Sequence, residues 1–196
     1  MKKKIAIYGG SFNPCTNAHK IIVENLLMIM DEVWIMPVAI HPWNKELIKI
    51  DYRMIMLDKM FQYHDRDKVK IVTMQSIKGV PQTTMKFMRY IREGFKEQNI
   101  KFFVVIGSDN AEKIEEWSDY KKLIDENDII IMQREKSINI NTNIIYDYIL
   151  LQDNRLIGNL SSTDIRKYVK LNKFDKIRGH CDINVIKYIK EKGLYE

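Results

Sequence analysis

The sequence predicts an α/β fold: a doubly wound, mostly parallel sheet with helices on both faces, followed by a small C-terminal helical part. Two observations carry this. Short apolar runs rich in β-branched and aromatic residues alternate with longer segments of helical period, joined by short connections. Those runs are apolar at nearly every position, as strands covered on both faces are.

In chain order, the strands are expected at Lys4–Tyr8, Val33–Val38, Val69–Met74, Lys101–Ile106, Asp128–Gln133 and Ile144–Leu150. Asn17–Met30, Tyr52–Phe61, Thr83–Lys96 and Trp117–Asp125 carry apolar residues at helical spacing; in the third, Met85, Met88, Ile91 and Phe95 form one stripe. Ser161 or Ser162 caps a further helix with Ile165 and Val169 on its apolar face. Asp182–Lys192 closes the chain as a helix, with Asp182 as N-cap and Gly193 as its stop. No repeat or low-complexity tract interrupts this order, and right-handed crossovers place the helices on both sheet faces. One domain over residues 1–196 is expected.

Composition narrows the class. With 45% hydrophobic and 30% charged residues over 196 positions, collagen-like and wholly disordered chains are excluded. No apolar run is long enough to span a bilayer. After Met1-Lys2-Lys3-Lys4 only Ile5-Ala6-Ile7-Tyr8 precede two glycines, too short for a signal-peptide core. Cys15 and Cys181 give neither a disulfide framework nor metal-ligand spacing. A soluble, cytoplasmic protein with no membrane partner is expected. The net charge of +6 favours anionic ligands. Charge alone leaves nucleic acid, nucleotides or nothing specific open: interleaved acids read as a solvated face, no nucleic-acid-binding signature is present, and phosphate-bearing small molecules fit the same sign equally well. No nucleic-acid partner is expected.

In a doubly wound sheet, ligands bind beyond the carboxyl ends of the strands. The first strand ends in Gly9-Gly10-Ser11-Phe12-Asn13-Pro14-Cys15-Thr16-Asn17-Ala18-His19. This is neither G-x-G-x-x-G nor a Walker A loop. Adjacent glycines let backbone approach a phosphate, and the following helix start offers unpaired N–H groups to an anion. Thr16 and His19, three apart, can face one ligand. Taken alone, a glycine pair is also what any tight βα turn uses. Cys15, without a paired base, is expected to be inert. Far downstream, Ser161-Ser162-Thr163-Asp164-Ile165-Arg166 opens another helix, with donors at its start and Arg166 a turn further in.

The first stretch resembles the nucleotidyltransferase signature G-G-x-F-[DN]-P-x-[HT]-x-x-H, shared by pyridine-mononucleotide, pantetheine-phosphate and several cytidyl transferases. The second resembles the Ser-Ser-Thr-x-Ile-Arg signature of nicotinate/nicotinamide mononucleotide adenylyltransferases, and the pairing of the two is specific to them. The likeness runs from Lys4 to Tyr195 and implies a Rossmann-like domain. It implies ATP contacts at Gly9, Gly10, Ser11, Phe12, Thr16, His19, Lys45, Gly107, Asp109, Ser162, Thr163, Ile165 and Arg166. It implies mononucleotide contacts at Ser11, Phe12, Thr84, Trp117 and Arg134, with Trp117 stacking on the pyridine. His19, Lys45 and Arg166 are the implied catalytic residues. No protein metal site is implied; Mg²⁺ would be bound through the ATP phosphates.

Most bacterial members carry His where this chain has Thr16; the Thr-Asn-x-His form is similar to eukaryotic-type enzymes. A neutral hydroxyl cannot take a cationic role, so the electrostatic work falls to His19. The implied reaction transfers the adenylyl group of ATP to nicotinate or nicotinamide mononucleotide in NAD biosynthesis. Within the class, the alternative is another phosphorylated acceptor; outside it, a nucleotide-binding homologue without catalysis. Short length leans toward nicotinate, Thr16 toward the amide.

Overall fold

The computed structural model describes residues 1–38, 46–72, 83–133, 140–156, 158 and 160–196. Strands β1 (Lys3–Gly10), β2 (Glu32–Pro37), β3 (Val69–Ile71), β4 (Ile100–Gly107), β5 (Asp128–Gln133) and β6 (Tyr148–Gln152) form one sheet in the order β3-β2-β1-β4-β5-β6. Every neighbouring pair is parallel. The order reverses between β1 and β4, which are paired with Tyr8 opposite Val105. At such a switch point the two flanking crossovers leave in opposite directions and open a crevice beyond the strand ends.

Strand alternation sorts side chains onto two cores. Ala6 and Tyr8 of β1, Val33 and Ile35 of β2, Phe103 and Val105 of β4, and Ile130 and Met132 of β5 face one side. There they meet α1 (Asn17–Leu27), α2 (Ile50–Phe61), α6 (Ser162–Lys170) and α7 (Ile183–Lys192). Ile5, Ile7, Trp34, Met36, Phe102, Val104, Ile106, Ile129 and Ile131 face the other side, under α3 (Thr84–Gly94), the short α4 (Ser108–Ala111) and α5 (Tyr120–Glu126). The doubly wound expectation holds. The C-terminal helices belong to the first core, with Val185, Ile186, Tyr188 and Ile189 buried in it.

Caps decide several boundaries. Ser161, not Ser162, caps α6: its hydroxyl accepts from the Asp164 backbone, while Asp164 accepts from the Ser161 N–H. Asp182 caps α7 by accepting from Asn184 N, and Gly193 ends it at φ 56°. The helix expected from Trp117 starts three residues later at Tyr120, because Asp119 adopts a left-handed conformation, φ 59°. The strand expected at Ile144–Leu150 forms instead over Tyr148–Gln152. Asn141 nucleates a turn there, its carbonyl accepting from Ile144 and Ile145, so the apolar pair supplies a core plug (Ile145, 1% exposed) rather than a strand. Beyond Val72, the expected third strand lies outside the described residues.

Candidate active site

A cleft of about 230 Å³ opens at the carboxyl ends of β1 and β4. Its floor is Gly9–Asn13 with His19 of α1; one wall is Gly107, Asp109, Asn110 and Trp117, and the other is Ser161–Thr163 with Arg166 of α6. The two remote motifs thus share one cavity.

The loop after β1 is held by contacts from the far end of the chain. Arg166 Nη1 donates to the Asn13 carbonyl at 2.7 Å, and its Nη2 to Thr163 Oγ1 at 3.1 Å. Ser162 Oγ donates to the Pro14 carbonyl at 2.8 Å, and Tyr195 Oη to Asn13 Oδ1 at 2.9 Å. Asn17 donates through its backbone N–H to the His180 carbonyl and through its amide to that of Gly179. The Asn13–Pro14 peptide is cis.

His19 is nearly buried. Its Nδ1 accepts from the Thr16 backbone N–H at 2.9 Å, with Thr16 Oγ1 also 2.9 Å away. An N–H can donate only to an unprotonated Nδ1, so the neutral ring carries its proton on Nε2. Position 16 therefore orients the histidine from behind: Thr16 is 1% exposed and does not line the cleft. The Phe12 ring lies edge-on to Tyr8 and to His19, with centroids 5.5 and 5.0 Å apart. Of the glycine pair, Gly10 serves this packing. Neither glycine has a positive φ, but a Cβ on Gly10 would stand 3.0 Å from Phe12 Cζ.

Of the expected contacts, Gly9, Gly10, Ser11, Phe12, His19, Gly107, Asp109, Trp117, Ser162, Thr163 and Arg166 line the cleft. Ile165 is in the core, and Thr84 is the first residue of α3, away from the cleft lining. Lys45 and Arg134 lie outside the described residues. Trp117 Nε1 is a buried donor with no partner among the described residues.

Three supporting residues carry no assigned role in the sequence analysis. Asn13 falls inside the first signature and Tyr195 at the end of the likeness, and together they close the loop on the C-terminus. Arg53, wholly buried, donates Nη1 to the Ser11 and Val38 carbonyls, both at 2.8 Å, and Nε to that of Ile48 at 3.1 Å. Burial pushes its guanidinium below the ordinary arginine value. A signal existed: Arg53 stands on the apolar stripe of α2 with Met56, Leu57 and Met60, where a cation needs a reason. Burial also pushes the thiols up, Cys15 well above its ordinary value and Cys181 to about 12, so neither is a nucleophile.

The cytidylyltransferase-like family model matches residues 7–168. A probable nicotinate-nucleotide adenylyltransferase of Acholeplasma laidlawii is 30% identical, the match covering 98% of this chain and 97% of that protein. One from Fusobacterium nucleatum is 33% identical over 96% and 98%. The structure of Plasmodium falciparum nicotinic acid mononucleotide adenylyltransferase complexed with NaAD superposes with a TM-score of 0.82 at 25% identity, covering 98% and 97% of the two chains. Matches of this extent, across both motifs and the whole sheet, place the chain in the cytidylyltransferase-like family, among the nicotinate-nucleotide adenylyltransferases.

Proposed function

We propose that this protein transfers the adenylyl group of ATP to nicotinate mononucleotide, releasing pyrophosphate. The observation that carries the reading is the convergence of Arg166 and His19 on one cleft at the sheet's switch point. The names of the full-length relatives supply the acceptor.

In the reaction, a 5′-phosphate oxygen of the mononucleotide forms a bond to the α-phosphorus of ATP. The bond from that phosphorus to the bridging oxygen breaks, and pyrophosphate leaves with the electron pair. The attacking oxygen is already ionised, so no general base is required. Catalysis consists of in-line positioning and neutralisation of charge on the equatorial and leaving oxygens. The Gly10–Ser11 backbone and His19 Nε2–H serve the α-phosphate. Thr163 and Arg166 serve the β- and γ-phosphates, a role the resemblance also gives to Lys45. Gly107 at the end of β4 and Asp109 of α4 meet the ribose hydroxyls of ATP, while Trp117 and Arg134 serve the mononucleotide.

Among the described residues no group of three His, Cys, Asp or Glu side chains could hold a metal. On the cleft itself the carboxylate residues are Asp109 and Glu46. That donor set suits Mg²⁺ arriving as the ATP chelate, ligated by phosphate oxygens and water, as part of the substrate.

The test is pyrophosphate release with ATP or CTP against nicotinate mononucleotide, nicotinamide mononucleotide and other phosphorylated acceptors. Highest kcat/KM with ATP and nicotinate mononucleotide is expected. A preference for CTP or for an unrelated acceptor would overturn the assignment.

A further inference from the structure

Among the described residues Arg53 heads the largest fully buried side chains, and the hydrogen bonds of its guanidinium all go to backbone carbonyls. Among the described residues it forms no ion pair. A buried cation without an anion is costly, and a core of this kind is usually filled as well by an apolar residue. α2 itself shows the alternative, with Met56, Leu57, Met60 and Phe61 packed on the same stripe.

The position of the three acceptors explains what the charge is for. Ser11 follows β1 and lines the cleft; Val38 follows β2; Ile48 precedes α2. Arg53 therefore draws the Ser11 carbonyl back into the protein, away from the cleft, and ties the ends of two strands together. It also places a positive charge 2.8 Å from the carbonyl oxygen of a residue of the cleft floor. Low-dielectric surroundings screen such a charge weakly, so its field reaches whatever binds on the other side of Ser11.

We infer that Arg53 is a positioning residue whose missing counter-anion is the polyphosphate bound in the cleft, acting through the Ser11 backbone rather than by contact. The inference rests on the adenylyl-transfer reading and assigns to α2 a share of triphosphate affinity that neither signature motif contains. Affinity for the phosphate chain should depend on the charge at position 53, and affinity for the nucleoside should not.

Calorimetric titrations of wild type, Arg53→Met and Arg53→Lys with ATP, inorganic tripolyphosphate and adenosine test this. Arg53→Met is expected to weaken ATP and tripolyphosphate at least about tenfold while leaving adenosine within about twofold, and Arg53→Lys to recover most of the loss. Equal weakening of adenosine and tripolyphosphate, or no weakening of either, overturns the inference and leaves adenylyl transfer intact. Wild-type protein that binds neither ATP nor tripolyphosphate sinks the adenylyl-transfer reading instead. Should Arg53→Met not fold, the Arg53 Nε–H resonance of wild type decides. It is expected to shift and exchange more slowly as tripolyphosphate is added, and an unmoved resonance at saturation overturns the role.

Discussion

The guanidinium of Arg166 donates to the carbonyl of Asn13 at 2.7 Å across 153 residues of sequence. One side chain thereby both lines the cleft and fixes the loop that forms its floor, so geometry and charge at the site are a single structural quantity. Arg166→Ala removes both, and kcat/KM is expected to fall by about 10²–10³. It also leaves the buried Asn13 carbonyl without its donor, at about 1–3 kcal/mol of stability. Arg166→Lys keeps the charge but cannot hold Asn13 and Thr163 together, and should recover only part of the rate. Steady-state kinetics beside urea melts check both halves; wild-type kinetics in Arg166→Ala would remove it from the mechanism.

The proposed reaction gives His19 two jobs on two nitrogens, and they can be separated. Nδ1 accepts from the Thr16 N–H, and in the proposal Nε2–H meets the α-phosphate. Asn at this position puts an amide oxygen where Nδ1 was; Gln puts its amide where Nε2 was. His19→Asn is expected to melt near wild type yet lose about 10²–10³ in kcat. His19→Gln should lose stability and keep more of the rate. The reverse ranking in thermal melts and turnover would contradict the assignment of the two nitrogens. Thr16→Ala keeps the backbone N–H, so it should cost about 1 kcal/mol as a lost cap residue and less than about tenfold in kcat.

Gly10 is needed for space rather than for an unusual backbone. In Gly10→Ala the new Cβ meets Phe12 Cζ at 3.0 Å, and the ring cannot retreat because Tyr8 and His19 flank it. Overpacking of this kind costs about 1–3 kcal/mol, and displacement of His19 should lower kcat/KM by at least about tenfold. Phe12→Leu in the same chain should restore part of both losses. A double-mutant cycle showing simple additivity would refute the clash.

What could be read from the chain follows from how local the determinants are. The strands β1, β2, β4 and β5 announce themselves because residues such as Ile5, Val33, Val104 and Ile130 are apolar whichever face they take. β6 was misplaced because Ile144 and Ile145 look like strand residues, and only the Asn141 turn shows that they plug the core. The glycine, His19 and Arg166 positions were legible because they fall inside short motifs with a physical rationale. Arg53 and Tyr195 were not, since each acts on the loop from a distance that only folding creates. The spacing of Thr16 and His19 lets both face the ligand; the place of Thr16 behind His19 depends on a ring orientation that spacing alone does not specify.

The seam between the Asn13–Thr16 loop and the C-terminus is alkali-sensitive by construction. Cys15, Cys181 and Tyr195 meet there: the Cys181 thiol donates to the Cys15 carbonyl, and Tyr195 to Asn13. Burial pushes all three above their ordinary values, Cys181 from 9.0 to about 12. The unfolded chain therefore releases these protons at lower pH than the native one. In alkali the unfolded state binds fewer protons, and stability must fall as pH rises. The seam's contribution is whole below about pH 9 and drains away above it. The urea midpoint of wild type should drop between about pH 7.5 and about pH 10.5, and the Cys15→Ala/Cys181→Ala variant should drop less. Native thiols should also resist DTNB at about pH 8 and react once the chain is unfolded. Parallel midpoint losses in the two proteins, or fast labelling of native Cys15, would show that the thiols are not held neutral by the seam.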